Sequence, residues 1–132
     1  MRTAAACAGA VALLGGGAYA VDLSGAWASA PEVCDKVFVT KGNQISFGPK
    51  SDIHGSGFII EGRRIRGRTA KCNLIRTRED KGIVHMVAAC ATDIMLSNVQ
   101  FSLRVRDENT VDRIFPGMAD MEMPFFRCPK AR

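Results

Sequence analysis

Residues 72–90 read CNLIRTREDKGIVHMVAAC, with a cysteine at each end and the turn-like Glu79-Asp80-Lys81-Gly82 at the centre. Two arms of extended character around a polar, glycine-bearing loop make a β-hairpin. A three-residue loop, Asp80-Lys81-Gly82, with glycine at the left-handed position is a common connection for one. Gly82 takes the positive φ of that position without steric cost. Counting outward from this loop, Glu79 faces Ile83, Thr77 faces His85, Ile75 faces Val87 and Cys72 faces Cys90. Facing residues of a non-hydrogen-bonded antiparallel pair have Cα atoms about 4.5 Å apart, within disulfide reach. The spacing therefore predicts a Cys72–Cys90 disulfide across an antiparallel ladder. A slip of one residue would send the two sulfurs to opposite faces.

The compartment follows from the other cysteines and from the start of the chain. MRTAAACAGAVALLGGGAYA, residues 1–20, has Arg2, an Ala/Val/Leu run and Ala18-Tyr19-Ala20 ahead of Val21 and Asp22. This pattern predicts a secretory signal peptide cleaved near Ala20. Gly15, Gly16 and Gly17 interrupt the run, which is shorter than the ~20 apolar residues of a spanning helix, and no later segment is long enough to span. Cys7 leaves with the peptide, so a single domain is expected over residues 21–132, located in the periplasm or outside the cell. Four cysteines remain in it, and an even count in an exported chain reads as disulfides. With Cys72–Cys90 assigned, Cys34 pairs with Cys128 and ties the start of the domain to its end.

The rest of the chain supplies strands. NVQFSLRVRD, residues 98–107, alternates cleanly: Val99, Phe101, Leu103 and Val105 face one way, Gln100, Ser102, Arg104 and Arg106 the other. VDLSGAWAS opens the domain as a strand from Asp22 to Ala28. Ser29 with Glu32 three residues on matches a capping box, so a short helix is expected over APEVCDKVF, residues 30–38, although 37–39 also suit a strand. QISFG, FIIEG, TVDRIF and MPFFRC read as further strands, and PKSDIHGSG as a polar loop. About eight short strands with little helix predict an all-β domain, a closed or nearly closed antiparallel barrel, with a two-sheet sandwich as the alternative.

Gly25-Ala26-Trp27 on the first strand resembles the G-x-W of calycins, the lipocalin-like barrels. The resemblance implies a barrel in which a basic residue near the chain's end, here Arg127, packs across Trp27. Gly-x-Trp also opens avidins and the periplasmic metalloprotease-inhibitor barrels, which this chain is similar to in size. As a whole the chain resembles small exported proteins of alphaproteobacteria. The likeness makes Trp27 and Arg127 candidate ligand contacts, although a buried tryptophan chiefly stabilises a core.

The sequence holds 18 Lys and Arg against 13 Asp and Glu, net +5, which fits an anionic partner. Charge is densest in GRRIRGRTAK, residues 62–71. If extended, this segment projects Arg64, Arg66 and Arg68 from one face and Ile65 from the other. Such a strip suits phosphate or carboxylate groups of envelope ligands, or an acidic protein. It would serve equally as a solvated face that deters strand pairing. In GMADMEM, Met118, Met121 and Met123 have a spacing compatible with Cu(I), whose preferred ligands include thioethers, if a flexible loop gathers them. Methionines also fill apolar gaps.

Ser51, Asp52, His54 and Ser56 have the residue types of a hydrolase triad, but neighbours in one loop rarely converge as triad partners do. Asp52 and His54 lack a third metal ligand, and His85 reads as a satisfied strand residue. No paired carboxylates, nucleophile elbow or phosphate loop is legible. The expectation is a non-catalytic exported protein that binds an envelope ligand or a protein partner, inhibition being one form of the latter. Nucleic acid is not an expected partner. A Cu(I)-binding protein and a structural envelope protein are the alternatives, and no cofactor beyond that Cu(I) is expected.

Overall fold

The computed structural model describes residue 9, residues 22–115 and residues 117–129. The expected signal peptide, its cleavage near Ala20 and the mature start at Val21 lie outside these residues, residue 9 apart. Eight antiparallel strands form a closed barrel: β1 (Gly25–Ala28), β4 (Gly57–Glu61), β5 (Arg64–Arg66), β6 (Lys71–Asp80), β7 (Ile83–Ala91), β8 (Leu96–Asp107), β9 (Thr110–Phe115) and β10 (Met118–Arg127). A separate ribbon pairs β2 (Phe38–Lys41) with β3 (Gln44–Phe47). Closure is made by β1, which sets Trp27 opposite Arg127 of β10 on one side and Phe58 of β4 on the other. Every barrel strand thus has two neighbours, which removes the sandwich alternative and leaves the barrel no edge. The alternation read in β8 holds for its apolar face, where Leu103 joins the barrel core and Val99, Phe101 and Val105 pack against it.

The stapled hairpin forms with one correction. Lys81 and Gly82, at φ 51° and 78°, make a two-residue turn with Asp80 facing Ile83, in place of the expected three-residue loop. Positive φ at both central residues matches strand twist better than an ordinary turn does. His85 consequently faces Arg78, not Thr77, and Val87 faces Arg76, not Ile75. The extra residue reappears as a bulge between Leu74 and Arg76, and the register is restored at Cys72 and Cys90. Their Cα atoms are 4.0 Å apart, and the disulfide is formed.

Between β1 and β4 the chain leaves the barrel through a 3-10 turn (Pro31–Val33), α1 (Cys34–Val37), the β2–β3 ribbon and α2 (Ser51–His54). Phe38 is already strand, so the helical segment is shorter than expected, and α2 occupies part of the expected PKSDIHGSG loop. The capping box does not form: Ala30 holds the cap position, and Ser29 Oγ instead accepts the Ser56 N–H at 3.2 Å. Val37 and Phe38 of this excursion form a second core with Ala26, Ala28 and Ile59 of β1 and β4, while the alternate residues Trp27 and Ile60 lie in the barrel core. Cys34–Cys128, paired as expected, pins the excursion just beyond the end of β10.

Gly57 sits where excursion and barrel touch. A Cβ there would lie 2.6 Å from the Trp27 carbonyl oxygen and 2.7 Å from Phe38 Cζ. Gly57→Ala is therefore expected to cost about 1–3 kcal/mol through overpacking. The measurement is a lower urea midpoint at unchanged slope; an unchanged midpoint would mean that the chain yields there freely. No helix among the described residues is long and apolar enough to cross a membrane.

Candidate functional site

The two ends of the barrel are built differently. One is plugged by Trp27, fully buried, whose Nε1–H donates to Leu23 O at 2.9 Å. Arg127 lies over the indole, 4.4 Å from its centroid, as the calycin resemblance implies. Its Nε donates to Glu108 O, and its two terminal nitrogens donate to the carbonyls of Ser24 and Asp22. Each guanidinium nitrogen is therefore engaged in closing the barrel, which makes Trp27 and Arg127 a structural plug.

Above this plug the barrel encloses a cavity of about 330 Å³, walled by Phe58, Ile60, Ile65, Met86, Leu103 and Phe125. Arg113 is the one charged side chain in the lining. Strand alternation puts it there: on β9 it shares a face with Val111, which belongs to the barrel core. Its ladder neighbours Leu103 and Met123 line the same cavity. The guanidinium lies 5.1 Å from the Phe101 ring centroid and 4.9 Å from that of Phe115. Among the described residues it has no ion pair and no hydrogen bond.

Desolvation lowers the Arg113 pKa from the ordinary arginine value, yet a guanidinium keeps its charge in a protein. Two aromatic faces compensate part of that burial, but they satisfy none of its five N–H donors in the way an oxygen would. No buried side-chain nitrogen or oxygen is left without a partner among the described residues, so water reaches the Arg113 guanidinium, and an anionic group entering the cavity would accept paired, charge-assisted hydrogen bonds in place of that water.

The other sequence candidates fall elsewhere. The expected strip of Arg64, Arg66 and Arg68 is broken because β5 ends at Arg66. Arg64 is exposed, Arg66 binds Glu61 and the Ile45 carbonyl, and Arg68 sits in the following bend, 3.4 Å from Asp52. Ile65 is buried on the opposite side, as the alternation requires. Met118, Met121 and Met123 belong to β10, not to a flexible loop: Met118 pairs with Phe115 and Met123 with Arg113, across a register shift that follows Met118. Met123 alone of the three lines the cavity.

Ser51 is buried, Asp52 is held by Arg68, and His54 is exposed, so the triad residue types do not converge. His85 Nδ1 lies 2.8 Å from the Oγ of the buried Ser102, a satisfied pair on the outer face of the sheet. Among the described residues no group of three or more His, Cys, Asp or Glu is placed to hold a metal.

Arg113 was not singled out by the sequence reasoning. Its signal is the TVDRIF alternation, in which Val111, Arg113 and Phe115 share one face. The opposite face, Thr110, Asp112 and Ile114, is equally mixed, so polarity alone does not say which face is inside. Compared with known proteins, the chain matches no family model, no curated protein and no solved structure.

Proposed function

We propose that this is an exported, non-catalytic binding protein of the periplasm or cell exterior, a calycin-like barrel that takes a small amphiphile carrying one anionic group. The observation that carries the reading is Arg113, a cation without an oxygen partner among the described residues, set in a largely apolar cavity. The apolar part of the ligand would pack on Phe58, Ile60, Leu103 and Phe125, gaining roughly 25 cal/mol per Å² of surface removed from water. Its head would replace water at the guanidinium. A volume at the lower end of the ~300–1,000 Å³ typical of small-molecule pockets favours a short single chain or ring system over a two-chain lipid. The two disulfides support an oxidising compartment.

Calorimetric titration of a medium-chain carboxylate against the alcohol of equal chain length tests this. The carboxylate is expected to bind at least about tenfold tighter, the effect of roughly one charge-assisted hydrogen bond. Equal affinities would remove the cation from the recognition and overturn the reading.

A further inference from the structure

The side chains that wall the cavity differ in how much of each a ligand could touch. Ile60, Ile65 and Leu103 are 4%, 5% and 3% exposed, so their neighbours in the wall already cover them. Phe58 and Phe101 line the same space and are only half-buried. Both hold inward positions and pack against the barrel core: Phe58 lies two residues from Ile60 in β4, with Ile59 between them in the second core, and Phe101 lies two residues from Leu103 in β8. Their uncovered surface therefore opens into the cavity. Met123, 39% exposed, adds a thioether. The apolar surface left free for contact is thus mostly phenyl ring and sulfur rather than branched alkyl.

The rings are already ordered as an array. Phe58 lies nearly parallel to Trp27, with centroids 6.3 Å apart and planes inclined by 17°, and meets Phe125 edge to face at 5.0 Å. Phe101 carries the Arg113 guanidinium 5.1 Å from its own centroid. All but Trp27 line one cavity of about 330 Å³, so a ring against Phe58 and an acid group on Arg113 belong to one small molecule.

Aromatic pairs in offset or edge-to-face geometry gain more than the apolar area they bury, and sulfur beside a ring adds to the gain. An alkyl chain gains the area alone. Unlike a rigid ring, it also gives up rotational freedom on entering so small a space.

We propose, resting on the reading of Arg113 as the anion's partner, that the ligand of this cavity is an aromatic acid, a carboxylate borne on a planar ring. Phe58 and Phe101 select it over saturated acids of the same size, while Arg113 selects the charge.

The test is calorimetric titration of the disulfide-bonded protein with naphthoate, with decahydronaphthoate, its saturated analogue, and with naphthalenemethanol, its uncharged one. Naphthoate is expected to bind at least about tenfold tighter than decahydronaphthoate, the effect of contacts with two rings. Phe58→Leu and Phe101→Leu, made separately, should each lower that ratio at least about twofold, the share of one ring. The ratio is taken within each variant, so a general loosening of the barrel weakens both acids alike and leaves it unchanged. Equal binding of the two acids, both tighter than the alcohol, overturns aromatic selection and leaves the anion reading in place. A ratio that neither leucine variant lowers overturns the assignment of Phe58 and Phe101. Equal binding of naphthoate and naphthalenemethanol, or binding of none of the probes, overturns the anion reading and the aromatic acid with it.

Discussion

Arg113→Met is expected to weaken binding of an anionic amphiphile by roughly 10- to 150-fold while making the empty protein more stable. The two effects have one cause. In the barrel the guanidinium faces Phe101 and Phe115 and has no oxygen partner among the described residues. Burial disfavours its charged form, as its lowered pKa records. Methionine has similar reach, no charge and no donor to satisfy, so it fills the position at lower desolvation cost. The gain in stability should be about 1 kcal/mol, since water still reaches part of the group and discounts the penalty. The loss in binding is that of a charge-assisted hydrogen bond to the ligand head, about 1.5–3 kcal/mol.

Arg113→Lys separates charge from shape. Lysine keeps the positive charge but not the planar fork, and should recover part of the affinity only. Urea unfolding and calorimetric titration on the same three proteins make the measurement. A methionine variant that is less stable and binds the carboxylate as before would show Arg113 to be a packing residue, and the proposed ligand class would fall with it.

What was legible in the sequence and what was not divides along physical lines. Cys72 and Cys90 could be paired because a hairpin register is discrete and a slip reverses every side chain. The location of the extra residue was not legible. A three-residue loop and a two-residue turn with a distant bulge bring the same cysteines together, and only the strand interior distinguishes them. β8 could be read because its inward positions are uniformly apolar. β9 could not, because Asp112, an outward residue, is itself buried at 6% exposure beside Arg106. The arginine strip failed at Gly67, where three residues of β5 are too few to carry a face. The Trp27–Arg127 contact followed from the resemblance, since a G-x-W strand and a terminal arginine become neighbours once β1 pairs with β10. The cavity above it was beyond reach: an eight-stranded barrel can be filled by side chains or hold a ligand, and side-chain volumes decide which.

Opening the two disulfides should reveal different roles for them. In the chain-entropy account the stabilisation grows with loop length. Cys34–Cys128 spans 94 residues and Cys72–Cys90 spans 18, giving about 4.7 and about 3.2 kcal/mol. Cys34→Ala with Cys128→Ala is therefore expected to cost about 1.5 kcal/mol more than Cys72→Ala with Cys90→Ala in urea unfolding. Position widens the contrast. Cys72 and Cys90 join strands already paired along the whole hairpin, so its ladder survives the loss of the bond. Cys34 instead fastens the β1–β4 excursion, whose remaining hold on the barrel is the small core of Val37, Phe38, Ala26, Ala28 and Ile59, the Arg66 hydrogen bond to the Ile45 carbonyl and the Arg68–Asp52 pair. Amides of Phe38–Lys41 and Gln44–Phe47 should then exchange faster in the Cys34 variant while those of β6 and β7 keep their protection. The loosening should reach the cavity, because the excursion leads directly into Ser56 and Gly57 at its mouth. Ligand affinity is accordingly expected to drop in the Cys34 variant as well, which links the longer disulfide to binding through the segment it holds in place. Equal losses of stability, with equal exchange in the ribbon, would show that packing alone keeps the excursion on the barrel.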